Sequence, residues 1–159
     1  GKNEKPFKEN IMTKALKDVQ KDIVSNMRAW QKVENASVAS TGRVMEKTEN
    51  PILRLVMEII QRDSQMHHRV QEWIADSLET KALSLSPDEI ANVWDMIEDH
   101  IRIEKKTLTM AGEALDAIKD SKGMLVQAYL IEYLLEDEKK HNTLLEKLEN
   151  IKKGMYPYA

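Results

Sequence analysis

The sequence predicts an all-α protein, a four-helix bundle built from two helical hairpins. Three observations lead there. Apolar residues recur at steps of three and four along four long segments, and none of these segments alternates as a strand does. The segments are joined by short breaks, which is the connection pattern of a bundle. Gly 5 and Pro 4 are too few for a many-turned β-sandwich or barrel. A length of 159 residues suits one domain. The expected organisation is a single domain over 1–159, with helices near 7–48, 51–80, 87–119 and 123–153.

Each boundary has a local reason. Asn50-Pro51 opens the second helix, and Ser86-Pro87 opens the third with a serine cap and a proline in the first turn. The run Asp120-Ser121-Lys122-Gly123 separates the third helix from the fourth, and Gly154 to Pro157 is a stop. Gly42 and the nearby Ser37, Ser40 and Thr41 weaken the end of the first helix, which is nevertheless read as continuous to about Lys47. The inner faces read as heptad seams. They are Ile23, Met27, Trp30, Glu34, Ser37 on the first helix and Met57, Ile60, Ser64, His67, Gln71, Ile74, Leu78 on the second. The third carries Trp94, Ile97, Ile101, Glu104, Leu108, Ala111, Leu115, Ile118, and the fourth Ile131, Leu134, Glu138, His141, Leu145, Leu148.

Composition removes several functions. Lys+Arg 24 against Asp+Glu 27 leaves a net charge of −3, without the basic field a nucleic-acid binder relies on. The absence of cysteine excludes disulfide scaffolds, thiol catalysis, iron–sulfur clusters and cysteine-ligated zinc. No apolar run approaches the roughly 20 residues of a membrane span, and no secretory signal is visible, so no membrane partner and a cytoplasmic location are expected.

The seams are apolar except at one level of each helix. An isolated charge leaving water costs several kcal/mol, so seam carboxylates at matching depth need a reason. Glu34 lies 17 residues before Pro51 and Ser64 lies 13 after it, while Glu104 lies 19 before Gly123 and Glu138 lies 15 after it. With allowance for the turns, each pair faces across its hairpin. The halves also repeat one another. Glu34 to Glu104 is an offset of 70, and Glu58 to Glu132, Asp63 to Asp137 and His67 to His141 are offsets of 74. Glu138-Lys139-Lys140-His141 places a carboxylate and an imidazole on one helical face, a donor mix suited to iron or manganese, with zinc less typical.

Glutamates from two helices with Glu-x-x-His from the others form the carboxylate-bridged di-iron pattern of ferritin-like bundles. The whole chain resembles that superfamily, closest to a rubrerythrin-type branch lacking a rubredoxin domain. Asp137-Glu138-Lys139-Lys140-His141 is similar to the Asp-Glu-x-Arg-His motif of its di-iron members. The resemblance implies that Glu34, His67, Glu104, Glu138 and His141 converge on one metal site. It implies that Asp137 orients His67 and that Asp63 orients His141. One departure stands in Asp63-Ser64-Gln65-Met66-His67, where Ser64 occupies the position of a family glutamate. His100, four residues before Glu104, is a substitute ligand or a partner of Glu104.

Iron is the expected metal, at one or two ions per chain, with manganese or zinc as alternatives. The expected activity is reduction of peroxide or dioxygen, with iron binding or storage, or a structural bundle with a degenerate site, as the competing readings. An external electron donor and a second copy of the chain in a homodimer are the expected partners.

Overall fold

The computed structural model describes the backbone of residues 5–155 and the side chains of residues 15–155. Among these residues the protein is entirely helical, with α1 (Lys5–Lys47), α2 (Pro51–Glu79), α3 (Pro87–Ala91), α4 (Trp94–Ile118) and α5 (Leu125–Lys152). The chain divides into two compact units, Gly1–Leu83 and Ser84–Ala159. The first is the hairpin of α1 and α2. The second is the hairpin of α4 and α5, to which α3 is joined.

Caps set the helix ends. The Asn50 side chain accepts from the backbone N–H groups of Ile52 and Leu53 at 2.9 and 3.2 Å, and Pro51, which has no N–H to satisfy, takes the first helical position. Ser86 and Glu89 form a reciprocal capping box at α3. At the end of α5, Gly154 adopts φ +70°, while Met155 N donates to Asn150 O at 2.8 Å and Gly154 N to Ile151 O at 3.0 Å. This paired closure needs a left-handed residue, which glycine supplies without a Cβ clash. It occupies the start of the expected stop; Pro157 lies outside the described residues.

The first helix runs unbroken through Gly42 to Lys47, as its reading required. The expected third helix does not. It divides into α3 and α4 at Asn92 and Val93, where Val93 leaves helical geometry at φ −117° and ψ 10°. Asn and Val are both weak helix formers. Ile90 of α3 is buried, which gives the short helix its anchor.

The two hairpins treat their seams differently. The expected stripe of α4 follows the observed half-buried face from Trp94 through Ile118. On α5, Leu134 is exposed and Leu135 takes its place. In the first hairpin the stripe is rotated. Gln31, Glu34 and Thr41 of α1 and Ser64, Gln71 and Ala75 of α2 are buried, whereas Ile23, Trp30, Ile60, Ile74 and Leu78 are exposed. Small and hydrogen-bonding side chains make the contact between α1 and α2. Thr41 donates to the carbonyls of Ser37 and Val38, and Gln61 Nε2 donates to Val38 O at 3.2 Å. Arg28 reaches from α1 to Glu72, Asp76 and Glu79 of α2 at 2.9, 3.2 and 3.4 Å. Trp73 is exposed with Arg69 over its ring, and Lys152 lies over the ring of Trp94.

Replacing Asn50 by Ala removes the acceptor for two N–H groups of α2. The expected cost is about 1 kcal/mol of folding stability, read by chemical denaturation, with Asn50→Asp retaining most of it.

Candidate metal centre

The second hairpin gathers three donor side chains. Glu104 projects from α4, and Glu138 and His141 from one face of α5, with ligand atoms within 4.8 Å of one another. His141 Nδ1 is 3.3 Å from Glu104 Oε2 and 3.5 Å from Glu138 Oε2. Donors about 2.0–2.2 Å from a common ion, at neighbouring tetrahedral or octahedral positions, stand about 3.0–3.5 Å apart, so these spacings fit one ion. His141 Nε2 faces Asp137 Oδ2 at 3.5 Å. Without an ion, Nδ1–H donates to Glu104 Oε2; with an ion held between the glutamates, Asp137 would keep the proton on Nε2 and free Nδ1 as the donor. Glu104 is only 12 % exposed, while His141 is 38 % exposed and gives access from solvent.

Two supporting contacts complete this cluster. Thr107 Oγ1 is 2.9 Å from Glu138 Oε2, the oxygen that also faces His141. His100 Nε2 is 3.0 Å from Glu104 Oε1, which makes His100 the partner of Glu104. A hydrogen bond shared with the Glu138 carboxyl, together with those from His141 and His100, holds Glu104 below the ordinary carboxylate value despite the opposing effect of burial.

The first hairpin repeats part of the pattern. His67 Nδ1 is 3.2 Å from Glu34 Oε1, matching the pairing of His141 with Glu104. Ser37 Oγ is 2.8 Å from Ser64 Oγ, and these two positions correspond by the same offsets to Thr107 and Glu138. Gln71 Nε2 donates to Glu34 Oε1 at 3.3 Å. Burial of Glu34 opposes its ionisation, but hydrogen bonds from Ser64 and Gln71 and the neighbouring His67 outweigh it, so its carboxyl also lies below the ordinary value. Ser64 thus supports a carboxylate from the position where Glu138 supplies one.

The remaining expected site residues are placed as follows. Asp137, on the same helix as His141, faces Nε2 of that ring with one oxygen, while its other oxygen pairs with Lys140 at 2.7 Å. Asp63 is exposed. The imidazole of His67 meets Glu34 within its own hairpin. His67 is 57 % exposed at its side chain, and His68 is the more covered of the two histidines, since the rotated stripe turns it toward α1. Sequence reasoning left out Thr107, Ser37 and Gln71 as site residues. The offset of 70 that pairs Glu34 with Glu104 also pairs Ser37 with Thr107, and was the available signal.

Compared with known proteins, the chain matches no family model, no curated protein and no solved structure.

Two outcomes follow from these contacts. With metal removed by chelator, Glu34 and Glu104 contribute stability that is complete above the unfolded glutamate pKa of about 4.3. Because both are lowered in the folded chain, that stability is lost as pH falls through their folded values. Melting temperature against pH should show this acid loss, flattened in Glu34→Gln and Glu104→Gln. Thr107→Val keeps the shape but removes the hydroxyl facing Glu138. It should cost about 1 kcal/mol by denaturation, and Thr107→Ser should restore most of it.

Proposed function

We propose that this chain is a ferritin-like, non-haem iron protein of the di-metal carboxylate type, with reduction of peroxide or dioxygen as its reaction. The observation that carries the reading is the Glu104, Glu138 and His141 cluster, whose donor types and spacings fit one divalent ion. Two carboxylates neutralise a divalent charge. One imidazole and hard oxygen donors favour iron or manganese, with zinc also accommodated. The repeated Glu34 and His67 pair supports a second, weaker position and a total of two ions per chain.

Bound ferrous iron would supply one electron per ion, so two ions would meet the two electrons that, with two protons, reduce peroxide to water. The residues hold and tune the iron. Glu104 and Glu138 provide anionic oxygens, His141 provides Nδ1, and Asp137 holds the proton on the far ring nitrogen. Without cysteine the chain has no thiolate-ligated centre of its own to return electrons, so the reaction draws on an external donor. A second copy of the chain as a homodimer belongs to the same reading.

The competing reading, iron binding without turnover, draws on one observation: Ser64 bonded to Ser37 in place of a second carboxylate.

Anaerobic titration with ferrous ion tests the metal. Glu138→Ala and His141→Ala should each weaken the tighter site at least tenfold, with helix content retained. Affinity should also fall on acidification, because protons compete with the ion for the imidazole and carboxylate donors. Unchanged binding in both variants would reject the site. Peroxide added to the iron-loaded protein should oxidise the iron, and a reductant should restore it; iron bound but inert to peroxide and dioxygen would favour the competing reading.

A further inference from the structure

The first hairpin lacks the second carboxylate but contains another oxygen donor, on the other side of its histidine. Gln71 sits one turn beyond His67 on α2 and is 97 % buried, that is 3 % exposed. Its Nε2 donates to Glu34 Oε1, while its Oε1 is buried with no hydrogen-bond partner. An amide oxygen stripped of water and left without a donor is unfavourable, and a cation satisfies it as well as an N–H does. Two groups meet Glu34 Oε1: His67 through Nδ1 at 3.2 Å, and the Gln71 amide through Nε2 at 3.3 Å, with its oxygen on the other arm of the same amide. Both distances lie within the span expected of neighbouring donors on one ion.

We propose that Gln71 is a metal ligand, which with Glu34 and His67 makes the first hairpin a one-carboxylate site for a divalent cation. Turning the amide about its last bond brings Oε1 to the position held by Nε2. The hydrogen bonds to Glu34 from the amide and from His67 Nδ1 are given up, the cation replaces both, and the amide NH2 takes the place where Oε1 stood. His67 gives up the proton on Nδ1 and carries it on Nε2. The internal repeat explains why the residue is here. Where the second hairpin has Glu138 and Leu145, the first has Ser64 and Gln71, so the oxygen donor has moved seven residues, two turns, along the same helix face. With one negative charge in place of two, this site is the weaker. Ser64, donating to Glu34, helps hold that single carboxylate ionised.

This inference rests on the reading of the chain as a metal-binding protein and is tested in the full chain with cobalt(II) as the probe. In a Glu138→Ala/His141→Ala background, which removes two donors of the second hairpin, one weak cobalt site should remain. Adding Gln71→Met, close in size but lacking the amide, should weaken it at least tenfold and change its visible absorption. Adding Gln71→Glu instead should tighten it at least tenfold. Circular dichroism confirms that each variant is folded. No cobalt bound in the background, or a residual site with unchanged affinity and spectrum in Gln71→Met, would overturn the proposal. The second-hairpin reading fails separately, if the background binds as much cobalt as the parent chain.

Discussion

The contact between a glutamate on one helix and an imidazole on its neighbour is the constraint around which each hairpin is arranged. Glu34 meets His67 and Glu104 meets His141 through the same ring nitrogen at nearly the same distance. A carboxylate between packed helices loses water on most sides, and it stays ionised only if hydrogen bonds replace that water. The neighbours supply them. Ser64 and Gln71 serve Glu34, while Glu138, His141 and His100 serve Glu104. The same convergence of oxygen and nitrogen atoms that keeps each glutamate charged is what gives it the character of a ligand set.

The hairpins share a plan but not a charge. Each has a hydroxyl three residues after its glutamate, and each hydroxyl reaches the facing helix, Ser37 to Ser64 and Thr107 to Glu138. In the second hairpin that reach ends on a carboxylate. In the first it ends on another hydroxyl, which lowers the negative charge by one and leaves a more extended polar contact through Gln71. Within the internal repeat, the difference falls on Ser64 and Gln71, which stand where the second hairpin has Glu138 and Leu145.

Packing in the first hairpin follows from that polar contact. The buried stripe of Gln31, Glu34, Thr41, Ser64, Gln71 and Ala75 consists of small or hydrogen-bonding residues. Trp30, Val33, Val70 and Trp73 remain exposed on that hairpin. The second hairpin keeps the conventional pattern, with leucine and isoleucine flanking a single polar level on α4 and α5.

Helical class, the main helix boundaries and the pairing of Glu34, Glu104, His67 and His141 with the right helices were legible in the residues alone. Periodicity, capping residues and sequence offsets are local, and the backbone responds to them locally. The tertiary structure decided what depends on rotation about a helix axis. Heptad counting placed Ile23, Trp30 and Ile60 inside along with Ser64, yet the actual contact face of α1 and α2 exposes those three and turns Gln31, Thr41 and Ala75 inward beside Ser64. A stripe rotated by a fraction of a turn keeps the same spacing, so spacing alone does not select it. The division of α3 from α4 at Val93 was set by the backbone there, although the apolar pattern runs on. Asp137 facing its own His141, and Gln71 closing on Glu34 with one oxygen left over, depend on where side chains end in space, a property no interval in the sequence encodes.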